Sequence, residues 1–128
     1  MKKKLKQELD QFRGTEQYHK FSLGNMRATD GIIYLFNKAE CFWIGDIITS
    51  VQNKPLVRQN NCFIIWKITK EKDGWKVAGY TDCEEGGSYS NKKKVYSQKG
   101  TYTLFPFDDL GDFEFYQQGE VLLLKGEY

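Results

Sequence analysis

Cys62-Phe63-Ile64-Ile65-Trp66-Lys67-Ile68-Thr69, Lys70-Glu71-Lys72-Asp73-Gly74 and Trp75-Lys76-Val77-Ala78-Gly79-Tyr80-Thr81 follow one another and decide the fold. The first block is rich in β-branched and aromatic residues, the composition of a half-buried pleated strand. Asp73-Gly74 is a hairpin signal, because these residues tolerate the backbone angles of a tight reversal. The third block alternates as a returning strand does. An antiparallel sheet therefore occupies the middle of the chain.

Toward the C-terminus the strand pattern continues. Asp82 to Lys94 is a polar loop centred on Gly86-Gly87-Ser88-Tyr89-Ser90-Asn91, and Val95–Gln98 reads as a short strand. Tyr102 to Phe105 leads into Pro106, which ends regular pairing. Asp108-Asp109-Leu110-Gly111 reads as a turn, Asp112–Tyr116 alternates, and Gln117–Glu120 closes a hairpin onto Val121-Leu122-Leu123-Leu124. That last run is apolar throughout, as in a strand covered on both faces.

Toward the N-terminus the period lengthens. Leu5, Leu9 and Phe12 form one stripe of a short amphipathic helix that Gly14-Thr15 ends. An extended stretch, Glu16 to Phe21, follows with Tyr18 and Phe21 as anchors. Thr29-Asp30-Gly31 offers side-chain oxygens to free helix amides. Apolar spacings of three and four then run from Ile32 to Val51, as one long helix or two broken between Glu40 and Gly45. Trp43 and the isoleucines face the core in this reading. The expected fold is a single α+β domain over 1–128, with N-terminal helices on one face of a mostly antiparallel four- to five-stranded sheet.

Composition narrows the function classes. The chain holds 20 aromatic residues but one histidine, His19, and three scattered cysteines. Aromatic residues supply core and contact area, whereas chemistry needs clustered titratable groups, so the inventory favours a binder over an enzyme. A net charge of +2 is too small to imply a polyanionic partner. Its distribution is uneven: residues 1–27 carry seven cations against three carboxylates, and residues 108–128 six carboxylates against Lys125. No apolar run approaches the ~20 residues that cross a bilayer. Cys41, Cys62 and Cys83 read as reduced thiols of a cytoplasmic protein.

Several blocks together resemble a small bacterial and mobile-element family known only as a domain of unknown function. They are Phe12-Arg13-Gly14-Thr15-Glu16 with Tyr18, Thr29-Asp30-Gly31 with Tyr34-Leu35, and Cys41-Phe42-Trp43-Ile44 with Asp46-Ile47-Ile48. Phe105-Pro106 and Gly119–Leu124 with Glu127-Tyr128 complete them. Lys125-Gly126 departs from the expected Pro-Ser step, and the Asp82–Lys94 loop diverges. The resemblance implies an intracellular α+β domain often carried on plasmids or phages, and it brings no catalytic residues.

Several residues are candidates for a site, each with a plainer structural role beside it. Thr29 and Asp30 could present helix amides to an anion, or cap a helix. Asp46 sits in an apolar run, where a carboxylate needs a partner such as Arg27, Arg58 or the Trp66 indole. Trp43 and Trp66 could flank a small-ligand pocket. His19 is the sole side chain that titrates near neutrality unaided, and with Asp46 or a cysteine it could serve a hydrolase or transferase. No ligand spacing supports a metal site, and no cofactor is implied. Tyr89, Lys92, Lys93, Lys94 and Tyr96 form the basic and aromatic segment best suited to nucleic acid. Asp108 to Glu114 could mimic a phosphate backbone. The favoured reading is a non-enzymatic, mobile-element-borne binding protein of anti-defence type. It would bind a host protein or sequester a small ligand, possibly a nucleotide. The alternatives are a nucleic-acid-binding accessory protein and a small enzyme using His19 and Asp46. Strand 121–124 needs cover in this reading, which suggests a homo-oligomer.

Overall fold

The computed structural model describes residues 4–21, 24–81, 93–103 and 105–128. Helix α1 spans Lys4–Leu9, and the two-residue strands β1 (His19–Lys20) and β2 (Arg27–Ala28) follow it. Next come α2 (Asp30–Lys38), α3 (Phe42–Ser50) and α4 (Pro55–Gln59). The hairpin β3 (Ile64–Glu71) and β4 (Gly74–Thr81) leads to β5 (Lys93–Gly100) and a one-turn helix α5 (Phe107–Leu110). Strands β6 (Phe113–Gln118) and β7 (Val121–Leu123) and a 3-10 turn at Lys125–Glu127 complete it.

The α+β reading holds, but the sheet is larger than expected. Seven strands lie in the order β1-β2-β7-β6-β3-β4-β5, and β2 runs parallel to β7 while every other pair is antiparallel. Two-residue strands show no alternation, so β1 and β2 carry no sequence signal. Their presence answers the question of what covers Val121–Leu124: β2 and β6 flank β7 within the chain. Both edges of β7 are thus paired within the chain.

The helical stretch breaks at Glu40, which takes the left-handed conformation at φ 51° and lets Cys41 N–H donate to Phe36 O at 2.9 Å. Gly45 does not break α3. It is buried, and a Cβ there would meet the Phe21 and Phe36 rings at 2.7 and 2.8 Å. Helix α4 adds to the expected elements, with Pro55 at its first turn as a start signal.

The helices cover one sheet face. Trp66, Phe36 and Phe115 are the largest fully buried side chains, joined by Ile32, Ile44, Ile64 and Leu122. Burying one such ring contributes about 2–3 kcal/mol. A polar chain crosses this core: Trp66 Nε1–H donates to Gln117 Oε1 at 2.9 Å, and Gln117 Nε2 donates to Gln52 Oε1 at 2.8 Å. Helix α1 is tied to the rest by its start. Asp109 Oδ2 accepts from Leu5 N–H at 2.9 Å and Oδ1 from Lys6 N–H at 3.3 Å. Tyr34 donates its hydroxyl to Glu8 of α1, and this bond pushes the phenol pKa up.

Candidate binding surface on the open sheet face

Alternation fixes what the second sheet face carries. With Trp66, Gly79 and Phe115 in register on the helix side, Ile65, Lys67, Thr69 and Glu71 of β3 point the other way. Their cross-strand partners share that face: Lys76, Ala78 and Tyr80 from β4, and Glu114 and Tyr116 from β6. Strand β5 adds Lys94, Ser97 and Lys99, and the edge strands add Arg27 and Lys20. Six cations therefore occupy strand positions of this face against two carboxylates, Glu71 and Glu114. Glu114 is already engaged, at 2.6 Å from Lys125 Nζ and 3.9 Å from Lys67 Nζ.

Two cation pairs sit directly opposite one another, Lys76 with Lys99 and Lys20 with Arg27. Like charges in that position oppose strand pairing. Among the described residues Lys76, Lys94 and Lys99 form no ion pair.

An aromatic cluster stands beside these cations. Tyr80 and Tyr116 flank the buried Ile65 from the adjacent strands. Phe63 lies 4.9 Å from Tyr116 and 5.4 Å from Tyr128, ring centre to ring centre, and Tyr116 lies 5.5 Å from Tyr128. Tyr128 is 70 % exposed.

A carboxylate clasp precedes Tyr128. Glu127 Oε1 accepts from Thr29 Oγ1 at 2.6 Å and from Leu124 N–H at 3.0 Å, and Oε2 accepts from Gly31 N–H at 3.2 Å. Asp30 makes a second knot at the same helix end. Its Oδ1 lies 2.7 Å from His19 Nε2 and its Oδ2 accepts from Glu16 N–H at 3.0 Å. Thr15 Oγ1 accepts from Asp30 N–H at 2.9 Å and donates to Gln17 O at 2.6 Å. The His19 hydrogen bond, then that of Glu16, holds the Asp30 carboxyl below its ordinary value of 3.8.

A family model matches residues 3–128. The chain belongs to DUF6876, a family of unknown function. No curated protein and no solved structure matches it. Blocks far apart in this DUF6876 chain, Thr15-Glu16, Thr29-Asp30-Gly31 and Leu124 with Glu127, meet at the start of α2.

The DUF6876 chain treats the sequence candidates unevenly. Thr29 caps α2, its Oγ1 accepting from Ile32 N–H at 3.4 Å. With the amides of Asp30, Gly31 and Ile32 all engaged, this helix end has no N–H to offer an anion. Asp46 is corrected: it is exposed, in line with Phe42 and Ser50, while Ile44, Gly45 and Ile48 form the buried stripe of α3. It makes no hydrogen bond or ion pair among the described residues, and His19 turns to Asp30 instead. Trp66 is fully buried with its indole N–H taken by Gln117, so it lines no ligand pocket. Trp43 is half-buried, its ring 4.7 Å from that of Trp75.

Of the basic and aromatic segment, Tyr89 and Lys92 lie outside the described residues, as does the Lys93 side chain. Lys94 faces the open sheet. Tyr96 does not join it: the register skips Val95 opposite Gly79 and Tyr80, and both Val95 and Tyr96 join the helix-side core. Three of the four carboxylates of the acidic run are spent internally, Asp109 on α1, Asp112 Oδ1 on Lys70 N–H at 3.0 Å, and Glu114 on two lysines, while Asp108 is exposed. Cys41 is buried and its thiol is pushed up to about 12 by desolvation. Cys62 departs from the reduced-thiol expectation, being exposed and disulfide-bonded. No helix among the described residues is long and apolar enough to cross a membrane.

Proposed function

We propose that this DUF6876 protein is a non-enzymatic nucleic-acid-binding protein whose working surface is the open sheet face. The observation that carries the reading is the pair of directly opposed cations, Lys76–Lys99 and Lys20–Arg27, on one face. Such pairs disfavour folding by up to about 1 kcal/mol each, and a phosphate chain lying across them reverses the sign of that interaction. Phosphates give affinity on such a surface and release counterions, so binding weakens steeply with salt. The half-buried Tyr80 and Tyr116 and the exposed Tyr128 add rings on which bases can stack. Capture of a small ligand near Trp43 and Trp66 has less support, because Trp66 is enclosed. Carriage on a plasmid or phage, which the sequence resemblance implies, belongs to this proposal as an origin for a small accessory binder.

Lys99→Glu tests the reading because it separates folding from binding. It replaces a repelling cross-strand pair by an attracting one, so the variant is expected to melt at an equal or higher temperature. Its affinity for a fluorescent oligonucleotide, read by anisotropy, is expected to fall. The slope of log affinity against log salt drops by roughly 0.7–0.9 for each phosphate that the protein no longer neutralises. Lys38→Glu, on α2 and therefore on the covered side of the sheet, serves as a control that leaves the slope unchanged. Affinity and slope insensitive to Lys99→Glu would sink the proposal.

A further inference from the structure

We infer that the open face takes a single strand, with an unpaired base stacked on Tyr128, and that Glu127 is the positioning residue that keeps Tyr128 there. The inference rests on the nucleic-acid reading above and narrows it to one substrate class. Three observations carry it. Tyr128 is 70 % exposed yet fixed by two neighbouring rings, Phe63 at 5.4 Å and Tyr116 at 5.5 Å. An exposed ring that is already ordered loses little freedom when a base stacks on it, and a π-face is accessible in an unpaired base but hidden in a duplex stack. Cations lie in the rows that run from this cluster: Tyr116 is in register with Ile65, Tyr80 and Lys94 in one row across the strands, and Glu114 with Lys67 and Ala78 in the next. Rows two residues apart are about 7 Å apart, so lysine Nζ atoms reach the backbone of a strand whose base lies on the rings.

The third observation is the clasp. Glu127 adjoins Tyr128 in sequence and takes three hydrogen bonds, two from the start of α2 and one from Leu124 N–H. Those bonds fix the 3-10 turn and with it the departure direction of Tyr128. Among the described residues Glu127 forms no ion pair with a cation of the open face, so its effect on binding passes through the ring.

The experiment compares a single-stranded oligonucleotide with its duplex at one salt concentration, for the unaltered protein, Tyr128→Ala, Tyr128→Trp, Glu127→Gln and Glu127→Gln/Tyr128→Ala. The unaltered protein is expected to prefer the single strand. Tyr128→Ala should weaken single-strand binding by roughly tenfold while leaving the salt slope and the duplex affinity in place. Tyr128→Trp should retain binding. Glu127→Gln should weaken the single strand in the same direction, and the double variant should bind no worse than Tyr128→Ala, because both act through one ring. Binding to neither nucleic acid at low salt overturns the nucleic-acid reading and this inference with it. Salt-dependent binding that favours neither form, unmoved by Tyr128→Ala, leaves that reading standing and overturns this one. A double variant markedly weaker than Tyr128→Ala overturns the role given to Glu127.

Discussion

Replacing Gly31 by alanine sets two opposed effects against each other at the clasp. A Cβ at this position would lie 2.5 Å from Leu124 Cδ1 and 2.6 Å from Glu127 Oε1. Both atoms end flexible side chains, so the collision itself is easily relieved. What relief removes is bonding. The displaced Oε1 accepts from Thr29 Oγ1 and Leu124 N–H, and its twin oxygen accepts from the amide of residue 31 itself. Hydrogen bonds to a charged group contribute about 1.5–3 kcal/mol each, and partial exposure of Glu127 brings that to about 1 kcal/mol apiece. Losing all three costs about 3 kcal/mol, while alanine recovers about 1 kcal/mol through helix propensity. The variant is therefore expected to be destabilised by about 2 kcal/mol, a fall of roughly 8 °C in Tm for a domain of this size. Urea and thermal denaturation followed by far-ultraviolet circular dichroism give both numbers. A variant as stable as the unaltered protein, or more so, would refute the claim that Glu127 holds the turn through these bonds, since propensity would then have won.

Three further predictions concern Gln117, Asp30 and Cys41. Gln117→Leu leaves the buried Trp66 indole N–H without its acceptor and Gln52 Oε1 without its donor, and should cost about 2–3 kcal/mol by urea midpoint. An unchanged midpoint would show that the apolar replacement compensates. Asp30, with its carboxyl held below 3.8 by His19 and Glu16, stabilises the fold fully above that value and loses the contribution as pH falls through the folded pKa. The Tm gap between the unaltered protein and Asp30→Asn should accordingly narrow in acid. A gap constant with pH would contradict the assignment. The Cys41 thiol, buried and pushed up to about 12, should resist a thiol-labelling reagent at neutral pH until the protein is unfolded. Rapid labelling of the native protein would show that α3 opens readily.

The hairpin at 62–81 was legible because its signals are local, a β-branched run, Asp73-Gly74 and a returning alternation. The helix start at Thr29 was legible for the same reason, as one side chain caps one turn. Asp46 was misplaced because three residues beyond Trp43 does not return to the buried stripe, which runs through Cys41, Ile44, Gly45 and Ile48. The open face was half-written in the sequence. Lys67 sits between the buried Trp66 and Ile68, and Lys76 between Trp75 and Val77. The neighbour relations that bring Lys99 opposite Lys76, and Tyr116 opposite Ile65, are long-range and leave no local trace. Net charge hid the basic surface. The acids that balance it, Asp30, Asp109, Asp112 and Glu127, are consumed as hydrogen-bond acceptors elsewhere in the fold.

Alternation along β3 and β4 has one more consequence, for how such a chain can change over generations. Trp66, Ile68 and Val77 are fully buried and answer to the core, while Lys67 and Lys76 between them answer to whatever lies outside. Neighbours in the sequence thus meet separate physical demands. A lineage could exchange the charges and rings of one face for others, and so acquire a different ligand, without disturbing the packing that makes it fold.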